Sequence, residues 1–199
     1  MGFLLAENKE TSGVVGCRDI NDTLGQFALV SYVPDPLASF LDNLRIELTP
    51  LAKPRAHVTI LPPRPHEHDL VETIGRLRLD SRPFPSFAVE IGEIEIFEAS
   101  HVVYLGFAQG AEELSSLYRA LNRGSLEYTE NFPYHPHVTV AQNIDPQDAP
   151  ALAAIAEERW RSYQGPRGFT VDRLSFVQHV APHVWVDVAT LELSPEQAG

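Results

Sequence analysis

The stretch RAHVTILPP, residues 55–63, places a histidine and a threonine two positions apart in a run that otherwise favours a buried strand. The chain repeats this pattern in YHPHVTVAQ, residues 134–142. Successive side chains of a strand point to opposite faces. His57 and Thr59 therefore share one face, and the aliphatic residues between and after them are expected to face the core.

The second copy predicts the same arrangement, with His137 and Thr139 on one face and two valines on the other. His57 and His137 are 80 positions apart, and each motif follows a predicted strand and helix. If a pseudo-twofold axis relates the two halves, both polar faces line one shared groove. That groove would hold two imidazoles and two hydroxyls.

The periodicity of apolar residues predicts an α+β fold in which both halves have the same order of elements. Besides the strand around His57, strands are predicted at residues 26–33, 86–97, 101–108, 135–142, 169–180 and 183–193. Helices are predicted at residues 35–48, 66–79, 110–123 and 145–163. Asp35 is the expected N-cap of the first helix, with Pro36 at its first position. Gly92 is expected to form a bend or bulge.

We expect one bilobed domain at residues 26–192, with lobes at roughly 26–98 and 101–192. Residues 1–25 lack sustained periodicity and are predicted to form a loosely structured extension. Residues 193–199 are predicted to form a C-terminal tail.

The composition narrows the classes of function. The chain has 199 residues, and 27 acidic against 15 basic side chains give a formal net charge of −12. Neutralising phosphates requires Lys and Arg, so no DNA partner is expected, although a small positive pocket could bind one phosphate. Cys17 is the only cysteine, which excludes an intramolecular disulfide and a cysteine-rich zinc site. The N-terminal apolar run is too short for a signal peptide or membrane span, so we expect a cytoplasmic protein without a membrane partner.

Two histidines and two threonines in one groove suit the cleavage of a phosphodiester without a metal. A neutral imidazole can accept a proton from water or a ribose hydroxyl, while a protonated imidazole donates one to the leaving oxygen. Threonine hydroxyls can donate hydrogen bonds to the non-bridging oxygens as charge develops there. His57 and His137 are therefore candidate catalytic residues. Thr59 and Thr139 are candidate phosphate-binding residues.

The paired HVTI and HVTV motifs resemble the 2H phosphoesterase superfamily, and within it the bacterial 2′-5′ RNA ligase and RNA 2′,3′-cyclic phosphodiesterase proteins. The resemblance covers roughly residues 26–192. It implies two pseudo-symmetric halves, each with an antiparallel or mixed sheet and outer helices around a central groove. It also implies that the motif histidines act as general base and general acid on a cyclic phosphate or a 2′-5′ linkage. The motif threonines would bind phosphate oxygens, no metal or cofactor would be needed, and ligation would be the reverse reaction.

Several neighbours of the motifs are candidates for substrate binding. Arg55 and His135 each lie two positions before a motif histidine and share its face. Tyr134 and Phe132 could stack on a base at the rim of the groove. Arg64, after two prolines, is expected at the surface, with a phosphate contact as the alternative.

The resemblance to the bacterial RNA ligase proteins is incomplete at Gln142. Those proteins often have a basic residue shortly after the second motif, where this chain has AQN. This departure favours a small nucleotide or an RNA end over long RNA. Two other functions stay open: a catalytically silent module that binds nucleotides or phosphorylated ends, and a metal-dependent hydrolase that uses paired histidines such as His66 and His68. The latter is disfavoured because positions i and i+2 of a helix do not face one another.

Overall fold

The computed structural model describes residues 25–50, 55–65, 69–181 and 184–195. Within these ranges the chain forms two four-stranded sheets and four α-helices. The strands are β1 (Phe27–Tyr32), β2 (His57–Arg64), β3 (Phe87–Ile96), β4 (Val103–Gln109), β5 (Val138–Ala141), β6 (Gly168–Val171), β7 (Arg173–Ala181) and β8 (Val184–Glu192). The helices are α1 (Leu37–Leu48), α2 (Leu70–Ser81), α3 (Ala111–Leu121) and α4 (Ala149–Ser162). The predicted α+β class is confirmed. The predicted extension lies outside the described residues apart from Gly25, as do His66 and His68.

Both sheets are antiparallel, and each has a motif strand at one edge. The first sheet has the order β2-β1-β7-β8 and the second has the order β5-β4-β3-β6. This division differs from the predicted lobe boundary near residue 100, because β3 joins the second sheet while β7 and β8 return to the first. Apolar periodicity identifies strands but not their pairing partners, which explains the difference.

The region predicted as one strand at residues 169–180 is two strands. β6 pairs with β3 in the second sheet and β7 pairs with β1 in the first, so the chain crosses between the sheets at Asp172. The backbone N–H of Leu193 donates to the Asp172 carbonyl at 2.8 Å, and that of Ser194 donates to the Phe84 carbonyl at 2.9 Å. The first residues of the predicted tail are therefore bonded to the domain.

The predicted interruption at Gly92 is a bulge within one continuous strand. The pairing of β3 with β4 shifts register between Ile91 and Ile94. A Cβ atom on Gly92 would lie 3.2 Å from the backbone nitrogen of Ala108, which favours glycine here. Trp160 of α4 donates its indole N–H to the Gly92 carbonyl at 2.8 Å, so the bulge also anchors a helix to the second sheet.

Helix α1 begins one residue later than predicted. Pro36 occupies the N-cap position and Leu37 is the first helical residue. The Asp35 carboxylate still accepts a hydrogen bond from the backbone N–H of Ser39 at 3.1 Å, so it satisfies one free donor of the first turn. The helix buries the apolar side chains of Leu37, Leu41, Leu44 and Leu48, and Phe40 is half-buried.

The helices bring the two motif strands together. Helix α1 packs on β5 and helix α3 packs on β2, so each of them covers the motif strand of the opposite sheet. β2 and β5 are themselves in contact. The aliphatic side chains of β2 and β5 lie in one continuous core, and each is at most 1% exposed. These residues are Val58, Ile60, Val138 and Val140. The predicted inward faces are confirmed, and the opposite faces carry the histidines and threonines.

Candidate active site

The two motif histidines are oriented by the same local hydrogen bond. Nδ1 of His57 lies 2.7 Å from the carbonyl oxygen of Arg55, and Nδ1 of His137 lies 2.7 Å from that of His135. A carbonyl oxygen can only accept, so each Nδ1 carries the hydrogen. In both rings this leaves Nε2 as the nitrogen that can exchange a proton with a substrate.

The two imidazoles differ in their electrostatic surroundings. The pKa of His57 is lowered to about 4, mainly by burial and further by the positive charges of Arg45, His137 and Arg55. Burial also lowers the pKa of His137, while its hydrogen bond to the His135 carbonyl acts in the opposite direction. The effect of His137 on His57 indicates that the two rings lie within electrostatic reach of each other. Both shifts favour the neutral form of the imidazole in the free protein.

A tyrosine, an arginine and an aspartate surround the first motif. Tyr32 lies opposite His57 in the β1–β2 register, with ring centroids 6.3 Å apart. The Arg55 guanidinium lies 3.3 Å from the centroid of the Tyr32 ring and forms an ion pair with Asp187 of β8. The Tyr32 hydroxyl donates to Asp187 at 2.6 Å. The Arg55 guanidinium is thus already held by two partners, Tyr32 and Asp187.

The second motif has aromatic surroundings. Phe97 stacks on Tyr104 with ring centroids 3.9 Å apart, and the centroids of these two rings lie 5.0 and 5.4 Å from that of His137 in T-shaped arrangements. The ring of His135, an exposed residue, lies 5.4 Å from Phe97. The Tyr104 hydroxyl donates to Glu95 at 3.0 Å, and burial together with this carboxylate raises the pKa of Tyr104 to about 12. No arginine is among the charges that shift the pKa of His137.

Sequence reasoning missed the two tyrosines. Tyr32 pairs with His57, and Tyr104 pairs with Thr139, each from the strand that precedes the motif strand in the chain. Each donates to a carboxylate of another strand, Asp187 or Glu95. The sequence shows a tyrosine in the strand before each motif. It does not show the pairing register that places this tyrosine beside the motif.

Tyr134 connects the two motifs. Its hydroxyl donates to the carbonyl oxygen of Thr59 at 2.9 Å, and its ring stacks on Tyr118 with centroids 4.1 Å apart. The predicted base-stacking residue therefore has one ring face and its hydroxyl occupied. Its bond to β2 fixes the segment that leads into His137 against the strand that carries Thr59.

The surface position expected for Arg64 is wrong, because the side chain is only 1% exposed. It donates to Asn122 at 2.6 Å, to the Leu126 carbonyl at 2.9 Å and to the carboxylate of Glu130 at 2.7 Å. These acceptors belong to the chain segment between α3 and β5, and this segment packs against the end of β2. A buried guanidinium needs such partners, and here they attach the approach to the second motif to the strand of the first.

A cavity of about 720 Å³ opens beside the motifs. Thr59, His137 and Thr139 contribute to its wall, whereas His57 and Arg55 are not among its lining residues. The rest of the described lining comes from the residue before β1, from the ends of β2 and β3 and from the segments next to β4 and β5. It consists of Gln26, Pro62, Pro63, Phe97, Glu98, Ala99, Ser100, Val102, Glu130, Asn131, Phe132, Pro133, Tyr134, His135 and Gln142. The cavity thus continues from the catalytic candidates into a largely apolar space.

The described residues contain no group of three or more His, Cys, Asp or Glu side chains arranged to hold a metal ion. His183 lies outside those residues, and His179 stacks on Trp185 with ring centroids 4.9 Å apart. In the same part of the chain, every helix is too short or too polar to span a membrane.

Known proteins resemble this chain in sequence and in fold. The protein named "Putative phosphoesterase OB1230" of Oceanobacillus iheyensis is 26% identical over 80 residues, which is 40% of this chain and 46% of that protein. The chain thus matches about half the length of this relative. LigT of Escherichia coli has a TM-score of 0.58 at 16% identity, with 85% of this chain and 98% of LigT covered. The protein TT0787 of Thermus thermophilus has a TM-score of 0.60 at 15% identity, with 86% and 100% covered.

These two structures share the fold of the present chain. The sequence profile of the 2′-5′ RNA ligase superfamily matches residues 33–182, a range that contains both motifs and most of the domain. The chain therefore belongs to the 2′-5′ RNA ligase superfamily, a branch of the 2H phosphoesterases.

Proposed function

We propose that this protein is a metal-independent phosphodiesterase that opens 2′,3′-cyclic phosphates, or cleaves 2′-5′ linkages, of nucleotides and RNA ends. The observation that carries the proposal is the pair of equally oriented histidines on two edge strands in contact, each with Nε2 left to exchange a proton. This arrangement supports proton transfer on both sides of one phosphate. Membership of a phosphoesterase superfamily supports an enzymatic role.

In the proposed reaction His57 is the general base and His137 the general acid. The neutral Nε2 of His57 takes a proton from water as the water oxygen bonds to phosphorus. The bond from phosphorus to one ribose oxygen breaks, and Nε2–H of protonated His137 donates its proton to that oxygen. Thr59 and Thr139 donate hydrogen bonds to the non-bridging oxygens. Attack by a ribose 5′-hydroxyl instead of water would form a 2′-5′ linkage at the same site.

The assignment of the two roles rests on the charges near each ring. Arg45 and Arg55 disfavour a second proton on His57, so this ring remains available as a base. His137 has aromatic neighbours, and an anionic substrate would favour its protonated form. Arg55, two residues from His57, would assist phosphate binding.

The ligands of a structural neighbour are compatible with a small nucleotide substrate. Crystal structures of LigT contain phosphate, ATP, 3′-AMP or NADP+. These compounds share a phosphate group, and three of them contain an adenosine nucleotide. We therefore infer that the partner of this protein is a nucleotide or a phosphorylated RNA end.

The direct test is hydrolysis of adenosine 2′,3′-cyclic phosphate in excess chelator, followed by chromatography of the product. We expect turnover that His57→Ala and His137→Ala each lower about 10²–10⁴-fold. Binding without turnover by the wild type would instead identify a nucleotide-binding module. Activity lost on chelation and restored by zinc or manganese would identify a metal-dependent hydrolase.

A further inference from the structure

We infer that the cavity beside the motifs binds the nucleobase of the substrate and that Phe132 is its main stacking residue. The inference rests on the proposed function and specifies which part of a nucleotide that site recognises. The cavity shares Thr59, His137 and Thr139 with the catalytic set, so a group inside it lies next to a phosphate held there. Its volume of about 720 Å³ lies within the range of sites that bind drug-sized ligands.

The lining of the cavity suits a flat, apolar ligand. Phe132 is 62% exposed, although it borders the cavity. Within the described part of the chain, its ring stacks on no other aromatic ring. Phe97 and Tyr134 also line the cavity, but Tyr104 covers one face of Phe97 and Tyr118 covers one face of Tyr134. Phe132 is therefore the aromatic side chain best placed to stack on a base.

Away from Thr59, His137 and Thr139, the charge of the cavity favours an uncharged base over a second phosphate. Among its described lining residues there is no Lys or Arg, whereas Glu98 and Glu130 supply carboxylates. Glu130 is paired with Arg64, and Glu98 would repel a second phosphate. Arg55, the cation beside His57, lies outside the cavity lining. The phosphate would thus be recognised at the end of the cavity that the motif residues line, and the base in the remaining part.

The inference predicts selectivity for substrates that carry a base. The test compares kcat/KM for adenosine 2′,3′-cyclic phosphate with that for the 2′,3′-cyclic phosphate of methyl ribofuranoside, which has no base. We expect the wild type to prefer the adenosine substrate and Phe132→Ala to reduce this preference roughly 5- to 150-fold, as expected for the loss of one stacked base. The control is Leu79→Ala, since Leu79 is 68% exposed and lies outside the cavity lining.

Equal use of both substrates by the wild type, or a preference that survives Phe132→Ala, would overturn the inference. A binding experiment separates this failure from failure of the proposed function. The affinity for 3′-AMP is measured by calorimetry in the wild type and in Phe132→Ala, independently of turnover. Weaker binding by Phe132→Ala supports the base site even if neither cyclic phosphate is hydrolysed, a result that would overturn only the proposed function. Equal binding overturns the base site.

Discussion

The two halves of the candidate site share their backbone geometry and differ in their electrostatics. Each motif histidine is held by the carbonyl two residues before it, at the same distance of 2.7 Å. The positive charges of Arg45 and Arg55 act on the pKa of His57, whereas His137 lies against Phe97 and Tyr104. A duplicated fold can thus supply two equivalent proton carriers, and the surrounding side chains can then give them different roles.

The two motif strands also differ in what they hold in place. β2 spans eight residues and β5 only four. Through Arg64 and the carbonyl of Thr59, β2 binds the segment that precedes β5. The position of the second motif therefore depends on contacts with the first.

The largest expected effect comes from separating the two proton transfers. A p-nitrophenyl phosphodiester releases a stable anion and needs no general acid. We expect His137→Ala to lower kcat about 10²–10⁴-fold with a cyclic phosphate and much less with the p-nitrophenyl ester, whereas His57→Ala lowers kcat with both. Steady-state kinetics with the two substrates measures this difference.

Circular dichroism of both variants would verify that they are folded. If instead His57→Ala were the variant whose activity recovers with the p-nitrophenyl ester, the two roles would be reversed. Equal losses with both substrates would contradict any division of labour between the histidines.

The features that could be predicted from the sequence are those encoded locally. The period of two placed Val58, Ile60, Val138 and Val140 in the core, and this is observed. The helical period of α1 is also observed, displaced by one residue at its start. Both depend only on which residues in a short stretch are apolar.

The features that could not be predicted depend on contacts between distant segments. Arg64 follows two prolines, which favours the end of a strand at the surface, but α3 and the residues after it cover this edge. β2 tolerates the prolines because it is an edge strand. Likewise, nothing local indicates that Asp187 lies beside Arg55 or that the charge of Arg45 acts on His57.

The next largest effect is expected on stability. It comes from removing the contacts between Arg64 of β2 and the segment that precedes β5. Arg64→Met removes the guanidinium that pairs with the partly exposed carboxylate of Glu130, together with its hydrogen bonds to Asn122 and Leu126. We expect a loss of about 3–5 kcal/mol in the free energy of unfolding, as for other buried ion pairs that lose one partner. Urea unfolding followed by circular dichroism measures it.

Arg173→Met is a suitable control, since Arg173 pairs with Asp172 at the surface. We expect it to cost at most about 1 kcal/mol. Equal destabilisation by the two substitutions would contradict a special role of the Arg64 contacts.

A smaller effect is expected from Tyr134→Phe, which removes the hydrogen bond to Thr59 and keeps the ring that stacks on Tyr118. We expect a loss of about 1 kcal/mol of stability and a few-fold decrease in kcat, because the two motifs are held less firmly. The matched control is Tyr118→Phe, which preserves the same stack but removes a hydroxyl that accepts from Asn122 at 3.1 Å. A larger kinetic effect in the control would show that the bond to Thr59 does not position the motifs.

The smallest expected effect concerns the pH dependence and tests the electrostatic difference most directly. In the free enzyme kcat/KM should rise as His57 loses its proton, at a pKa of about 4, and should fall as His137 loses its proton, below the ordinary pKa of 6.5. The maximum is therefore expected on the acidic side of neutrality. Arg45→Met removes a positive charge that lowers the pKa of His57, so the low-pH limb should move upward by less than about one pH unit.

Arg45→Lys keeps the charge and is the control, since it should leave the low-pH limb in place. Arg45 is only 8% exposed, so the pH range must be confined to conditions in which both variants remain folded. The high-pH limb provides a second internal control, because the charges that shift the pKa of His137 do not include Arg45. If Arg45→Met moved the high-pH limb instead, His57 would be the general acid. His137 would then be the general base, and the two histidines would have the opposite roles.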